Sequence, residues 1–385
     1  MSNASLGLRL EKRLKPSRAI AFVVPLASLL LALVLGGAIL AMSGANPLVT
    51  YAAMLEGAFG TPAQWAQGRY YNLSETLVKA TPLALCGLGI GIALRMLFWN
   101  VGAEGQLAMG GLAASAVALL WGPGLPAPAV LPLMAAAGFL GGAVWGLIPA
   151  LLKACLKVNE IITTLMMNYI AVFLVEYLFY GPWRDPGGYG FPGTAEFVPA
   201  AWLPRLGNTR IHLGLVAVPV AALVIWLVLA RTRWGYEIKV IGENPRAASY
   251  AGINLALNIA MVMVLSGGLA GLSGGLAGLA GMSEVAGISH RLQKGLTVGH
   301  GLTAIIVAWL ARMDPWKTIV VAFLVAALLV GGDQIQITMH LPAATALVLQ
   351  GAILFCMVGG DLFIKYRLRW RGAARRGSAP AREAR

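Results

Sequence analysis

Five long tracts of this sequence contain no Asp, Glu, Lys or Arg residue: 19–55, 105–152, 211–230, 247–283 and 334–360. A helix needs about 20 mostly apolar residues to cross a bilayer, so each tract can cross once and the second can cross twice. Charged residues make up 11% of the chain and hydrophobic residues 58%, whereas a soluble domain has about 25% charged residues. We therefore predict an all-α, polytopic membrane protein.

The pattern of apolar stretches predicts about ten transmembrane helices. They lie near residues 19–42, 74–94, 98–121, 129–152, 159–181, 211–230, 255–281, 297–311, 317–332 and 342–362. With the N-terminus inside, most of the 29 Lys and Arg residues fall in inner segments, which is the positive-inside pattern. Both termini are then cytoplasmic, as a basic N-terminus (1–18) and a basic tail (363–385) that flank a transmembrane domain (19–362).

The net charge of +14 does not indicate a nucleic-acid partner, because the basic residues concentrate in segments expected beside the membrane. The basic tail is predicted to lie against anionic membrane lipid. The three Cys and four His residues show none of the short spacings that hold metals. We therefore predict neither a metal site nor a disulfide framework.

Two polar stretches enter predicted helices from the cytoplasmic side. Their polar residues are Asn100, Glu104, Gln106, Asn159, Glu160, Thr163 and Asn168. Asn159 can cap a helix with Glu160 in its first turn, and Glu104 can complement a helix dipole in the same way. The same side chains can instead hydrogen-bond neighbouring helices or line the path of a polar solute. All seven are candidates for a translocation path.

A third stretch, GLTVGHGLTAIIVAWL, combines closely spaced glycines with Thr297, His300 and Thr303 on adjacent turns. This pattern indicates a broken or closely packed helix that lines a cavity towards the outer side. Irregular backbone at membrane depth is tolerated only where protein or water covers it. These three residues are also path candidates, although His300 can equally be a hydrogen-bonded packing residue.

The longest predicted inner loop contains GENPRAASYAGI. Asn244 and Pro245 can start a helix, with Pro at its first position, and Gly252 can end it. Such a helix would be short, exposed and built mostly from small residues. It is either an ordinary loop or a knob that fits a cleft on a partner, formed by Glu243, Asn244, Pro245, Arg246, Ala247, Ala248 and Gly252.

The tract 265–281 reads LSGGLAGLSGGLAGLAG. LSGG opens the signature loop of ATP-binding-cassette (ABC) ATPases, and the sequence around Ser273 fits the G-x-S-x-G pattern of serine hydrolases. That pattern needs a strand-to-helix elbow, which this chain is not expected to have. The spacing instead puts small residues on one helix face for close packing, at Gly267, Gly271, Gly274 and Gly278.

Taken together, the stretches NVGAEGQLAMGGLAA, NEIITTLMMNYIA, GENPRAASYAGI and GLTVGHGLTAIIVAWLARMDP resemble the permeases of ABC importers. The resemblance is to the branched-chain amino acid/ribose-type superfamily, most nearly to nucleoside and simple-sugar uptake permeases, and it covers residues 20–362. It implies that residues 19–362 form a permease domain in the bacterial cytoplasmic (inner) membrane. It also implies that segment 243–252 is the coupling helix, which docks on a cytoplasmic ABC ATPase.

The resemblance implies further partners. They are a second permease subunit, often a different chain, and an extracytoplasmic substrate-binding protein. No cofactor is expected on this chain, because ATP and Mg bind the ATPase and the sequence has no G-x-x-x-x-G-K-[ST] motif. The chain is therefore not expected to be an enzyme and has no predicted catalytic residue. The alternatives are a secondary transporter or channel for a polar solute and, more remotely, an intramembrane serine protease built on Ser273.

Overall fold

The computed structural model describes residues 8–12, 18–190, 192–207, 209–280, 291–292, 299–339, 341–342 and 344–370. Within these residues the structure is almost entirely helical. The helices are α1 (Arg18–Met42), α2 (Pro47–Phe59), α3 (Pro62–Ala66), α4 (Tyr71–Arg95), α5 (Ala103–Ala116), α6 (Ala127–Leu156), α7 (Glu160–Tyr180), α8 (Gly214–Arg231), α9 (Arg233–Glu243), α10 (Pro245–Tyr250), α11 (Leu255–Ala280), α12 (His300–Leu310), α13 (Pro315–Met339) and α14 (Ala344–Lys365).

Each of the ten predicted helices has a counterpart among these elements. By length and apolar composition, seven described helices can cross a membrane, or up to eight if the broken pair 26–42 and 47–66 is one span. α12 and the apolar part of α14 (Leu347–Gly360) are shorter than that test requires. The structure therefore supports a multi-pass, almost wholly helical membrane protein without fixing ten spans.

The chain forms two compact units, residues 1–48 with 347–385 and residues 49–346. In the first unit, β1 (Leu8–Lys12) pairs antiparallel with β2 (Tyr366–Trp370). The all-α prediction missed this pair, although Tyr366–Trp370 (YRLRW) alternates apolar and basic residues as a strand does. In the same unit a Cβ atom at Gly360 would overlap the Ser28 hydroxyl, so α14 lies close against α1.

The second unit is a helix bundle in which α11 packs along α5 and α6. Backbones approach closely where glycines meet. A Cβ atom at Gly267 would overlap the Gly142 carbonyl oxygen, one at Gly271 the Gly138 carbonyl oxygen, and one at Gly274 the Leu107 carbonyl oxygen. Gly278 also lies in α11, but its surroundings fall outside the described residues.

One end of this bundle is formed by Arg95 of α4, the α6–α7 turn, α9 and α10, and we call it the α10 end. A Cβ atom at Gly242 of α9 would overlap the carbonyl oxygen of Arg95. The Lys153 ammonium of α6 pairs with Glu160 of α7 at 2.6 Å, and the Asn258 amide of α11 donates to Glu237 of α9 at 3.0 Å. These contacts align the ends of α4, α6, α7, α9 and α11.

We predict that Gly274→Leu prevents normal assembly of the bundle. The new side chain would occupy the space of the α5 backbone, and overpacking of this kind costs about 1–3 kcal/mol or more. The measurement is the yield and thermal unfolding midpoint of the detergent-solubilised protein.

The matched control for this variant is Gly351→Leu, because Gly351 of α14 has no atom within 4 Å of an added Cβ. Ser273→Ala should also have little effect, since the bond from its hydroxyl to the Pro82 carbonyl oxygen is long, at 3.4 Å. A normal yield and midpoint for Gly274→Leu would contradict the packing role.

Candidate functional site

The chain between α4 and α5 turns back into the bundle. Leu97 has a left-handed backbone (φ 59°) just after the last residue of α4, and α5 begins only at Ala103. Ser266 of α11 and Asn168 of α7 form hydrogen bonds with residues of this stretch. α11 and α7 both begin at the α10 end. Measured along these helices, Ser266 of α11 lies about 16 Å from that end and Asn168 of α7 about 12 Å. α5 therefore begins well inside the bundle rather than at its α10 end.

Asn100, Gln106 and Ser266 form a closed network at this depth. The Asn100 amide donates to Gln106 and to the Ser266 hydroxyl oxygen, each at 2.9 Å. Its carbonyl oxygen accepts from the Gln106 amide and from the Gly102 N–H, each at 3.1 Å. All three side chains are buried, so the network fixes the non-helical stretch before α5.

Asn168 of α7 ties a third helix to the same point. Its carbonyl oxygen accepts from the Gly105 N–H at 2.8 Å, and its amide donates to the Val101 carbonyl oxygen at 2.9 Å. The Gly105 N–H belongs to the first turn of α5, where a helix leaves its donors unpaired. A side chain from a neighbouring helix therefore caps α5.

Glu104 performs the corresponding task for α12. Its carboxylate oxygens accept from the backbone N–H groups of Gly299 at 2.8 Å and Gly301 at 2.6 Å. Gly299 precedes α12 with a positive φ of 83° and provides no side-chain cap. A buried carboxylate is thus placed at the positive end of a helix dipole, and it joins α5 to α12.

The other path candidates lie apart from this cluster or cannot be placed in it. Asn159 caps α7 by accepting from the Ile161 N–H at 2.9 Å, and Glu160 pairs with Lys153 at the α10 end. The Thr163 hydroxyl donates to backbone carbonyl oxygens of its own helix. His300 is buried in the first turn of α12 and Thr303 is partly buried one turn later, whereas Thr297 lies outside the described residues.

α10 is a short helix exposed on all but one side. Asn244 caps it by accepting from the Arg246 and Ala247 N–H groups at 3.0 Å and 3.2 Å, and Pro245 is its first residue. Ala248 is fully buried in an apolar cluster with residues of α4, α9 and α11. The other coupling candidates are exposed or partly exposed: Glu243, Asn244, Pro245, Arg246, Ala247 and Gly252.

Two charged residues inside spanning helices were not selected from the sequence. Lys79 of α4 forms an ion pair with Asp333 of α13, and Lys79 lies about 12 Å along its helix. An isolated charge within an apolar helix is itself a sign of function or of a paired partner. That sign was present in the sequence, but only the fold shows that these two residues meet.

His212 lies just before α8, outside the spanning segments. Its side chain is buried, and neither ring nitrogen has a hydrogen-bond partner among the described residues. Burial lowers the pKa of His212 from 6.5 to about 4, because the charged form loses its hydration. The imidazole is therefore neutral at physiological pH.

No group of three or more His, Cys, Asp or Glu residues in the described part of the chain is placed to hold a metal ion. Ser273, the residue behind the protease alternative, is buried against α4. Of the histidines that could serve it, His290 lies outside the described residues and His300 is in α12.

Comparison with known proteins identifies the family. Residues 72–358 match the family described as "Branched-chain amino acid transport system / permease component". The glucose ABC transporter permease protein TsgB13 of Haloferax volcanii is 33% identical over 97% of this chain and 98% of its own length. The guanosine ABC transporter permease protein NupP of Bacillus subtilis is 31% identical over 91% and 97%. The chain therefore belongs to this family and is a permease subunit of an ABC importer.

We predict that Asn168→Leu destabilises the protein, because it leaves the Gly105 N–H and the Val101 carbonyl oxygen unpaired inside the bundle. Each unsatisfied buried group costs about 1–3 kcal/mol. The adjacent variant Tyr169→Leu is the control, because Tyr169 is on the opposite, exposed face of α7. Equal unfolding midpoints for the two variants in detergent would contradict the capping role of Asn168.

We also predict a pH dependence that arises from His212. The unfolded chain takes up a proton as the pH falls below 6.5, whereas the folded chain does so only near 4. Stability is therefore lost as the pH falls from about 6.5 to about 4. Unfolding midpoints over this range should fall less for His212→Phe than for the natural chain, and parallel curves would exclude His212 as the cause.

Proposed function

We propose that this permease moves a small, neutral, polar solute inward, a nucleoside or a simple sugar, by alternating access driven by ATP hydrolysis on a partner. The names of the relatives point to these classes, because they include a glucose permease, a guanosine permease and a nucleoside permease. ATP and Mg bind the partner ATPase in this proposal, and this chain carries no cofactor. The partners are a cytoplasmic ABC ATPase, a second and different permease subunit and an extracytoplasmic substrate-binding protein.

The observation that carries the proposal is the construction of α10. A six-residue helix is too short to be stable alone. This one is capped at its start and packs on α9 and α11, with Ala248 buried in an apolar cluster. Its remaining surface is exposed and combines the small residues Ala247 and Ser249 with the long side chains of Arg246 and Tyr250. These properties suit a rigid knob that fits a cleft on the ATPase, with Glu243, Asn244, Pro245, Arg246, Ala247 and Gly252 around it.

We further propose ten spans in a bacterial cytoplasmic membrane, with both termini cytoplasmic. The pairing of β1 with β2 supports an even number of spans, because it requires both ends of the chain on one side. α14 and the segment of the chain that ends with α12 would then count as spans in addition to the eight that pass by length and composition. The basic tail, 363–385, would lie beside anionic lipid on the cytoplasmic side.

The ten path candidates remain part of the proposal, with different tasks. Asn100, Gln106 and Asn168 already bond to one another's segments, so we assign them the task of holding the path in shape. Glu104 holds α12 in place. Direct contact with the solute is assigned to His300 and Thr303 in the first turns of α12, and to Thr297, which precedes them in the sequence. Asn159, Glu160 and Thr163 shape the inner end.

We predict that Ala247→Arg abolishes binding of the ATPase without unfolding the permease, because Ala247 is exposed on α10 and a long side chain would block insertion into a cleft. The matched control is Ala63→Arg. Ala63 is exposed on α3, which is also a short, capped helix that begins with Pro. Co-purification of the ATPase with Ala247→Arg at the level of the control would contradict docking at α10.

The proposal as a whole is tested by reconstitution in proteoliposomes. Labelled guanosine and labelled glucose are supplied separately, with and without the second permease subunit, the ATPase, its ATP and the binding protein. We expect uptake of one of them only when all components are present. Uptake by the permease without an ATPase, driven by an ion gradient, would establish the secondary-transporter alternative instead.

A further inference from the structure

Both ends of α12 are held by charged side chains from other helices. At its start, Glu104 of α5 binds the Gly299 and Gly301 N–H groups. Beyond its end, the Arg95 guanidinium of α4 donates twice to the Met313 carbonyl oxygen, from Nε at 3.1 Å and from Nη2 at 2.9 Å. A carboxylate at the start and a cation at the end both match the helix dipole.

The turn held by Arg95 has an unusual backbone. Arg312 and Met313 follow one another with positive φ angles of 52° and 59°, a region that non-glycine residues seldom occupy. Such a turn persists only where its surroundings fix it. The Arg95 side chain supplies that constraint directly, since it grips the carbonyl group of the second of these residues.

Arg95 also lies in contact with the segment proposed to meet the ATPase. The carbonyl oxygen of Arg95 touches the backbone at Gly242 of α9 closely enough to exclude a Cβ atom. Ala248 of α10 packs in one apolar cluster with Ile92, Ala93 and Met96, which surround Arg95 on α4. The last turn of α4 therefore contacts α9 and the α12–α13 turn directly, and it shares one apolar cluster with α10.

The start of α12 packs tightly against α5. A Cβ atom at Gly301 would overlap the backbone nitrogen of Glu104, so α12 and α5 touch backbone to backbone. α12 has eleven residues and spans about 16 Å. It therefore reaches from the α10 end to Glu104, next to the buried network of Asn100 and Gln106, as one rigid element.

We propose that α12 is the strut that carries movement of α10 to the centre of the membrane. Arg95 and Glu104 are its positioning residues. Arg95 fixes the end of α12 beside the α10 end, and Glu104 fixes its start beside the solute path. This inference rests on the proposed function, because it assumes that an ATPase moves α10. It adds the route by which that movement reaches the solute path.

If α12 is a strut, loss of either charge should uncouple solute uptake from ATP hydrolysis. If the two charges only stabilise the fold, no such uncoupling is expected. If Glu104 or Arg95 loses its charge, ATP hydrolysis should continue while α12 no longer follows α10. If the two residues only stabilise the fold, hydrolysis, uptake and the unfolding midpoint should fall together. The ratio of solute imported to ATP hydrolysed separates these outcomes.

The experiment uses the complete reconstituted importer with labelled guanosine and labelled glucose as probes. Uptake and phosphate release are measured in the same vesicles for Glu104→Gln, Arg95→Gln and the double variant. We expect each single variant to lower the ratio by about tenfold, within the usual range of coupling between sites. The double variant should lower it no further than the worse single variant, because both residues act on one element.

Arg231→Gln is the matched control, because Arg231 is also a cation in the last turn of a spanning helix, α8, which leads directly into α9. Its side chain is exposed, so this variant should keep the natural ratio. A natural ratio in Glu104→Gln and Arg95→Gln would overturn the strut, as would a parallel loss of uptake and hydrolysis. If the unaltered importer shows no ATP-dependent uptake, the proposed function itself fails, which is a separate result.

A distance measurement tests the strut without removing either charge. Spin labels are placed at the exposed positions Tyr236 of α9, Leu302 of α12 and Tyr169 of α7, in a chain whose native cysteines are replaced at Cys86, Cys155 and Cys356. Between the nucleotide-free and vanadate-trapped importer, the 236–302 distance should stay constant while the 169–302 distance changes. A change in the 236–302 distance as large as that in the 169–302 distance would overturn the proposal.

Discussion

The unpaired backbone N–H groups of two helices that begin inside the bundle set the arrangement of everything around them. A bilayer provides no water to satisfy such groups, so α5 and α12 require partners from other helices. Asn168 of α7 caps α5, and Glu104 of α5 caps α12. Because each cap comes from another element, the start of each of these helices is fixed by a side chain of a neighbouring helix.

Glycine packing makes this capping possible. α11 meets α5 and α6 at Gly267, Gly271 and Gly274, where the backbones touch. Only such close approach brings Ser266 of α11 within reach of Asn100. The LSGG repeats of tract 265–281 therefore allow close packing of α11 on α5 and α6. The hydrogen-bond network of Asn100, Gln106 and Ser266 depends on this short distance between helices.

Much of the helical arrangement could be predicted from the sequence, since uninterrupted apolar tracts can form little else in a membrane. The cap at Asn244, Pro245 as the first residue of α10 and the cap at Asn159 also followed from local chemistry. The predicted start of the third helix near residue 98 was five residues early. Leu97 and the Asn100 network hold that stretch in a non-helical form that no local propensity indicates.

The sequence by itself determined that this chain is a polytopic membrane protein and which residues are polar at the helix starts. It could not say whether those polar residues face a solute or one another, because Asn168 and Gly105 are 63 positions apart, and Glu104 and Gly301 are 197 apart. Only the tertiary structure decided that Glu104 caps α12 and that Lys79 meets Asp333. The physical reason is that hydrogen bonds and ion pairs between helices depend on packing distances, which the glycine contacts set and no local pattern records.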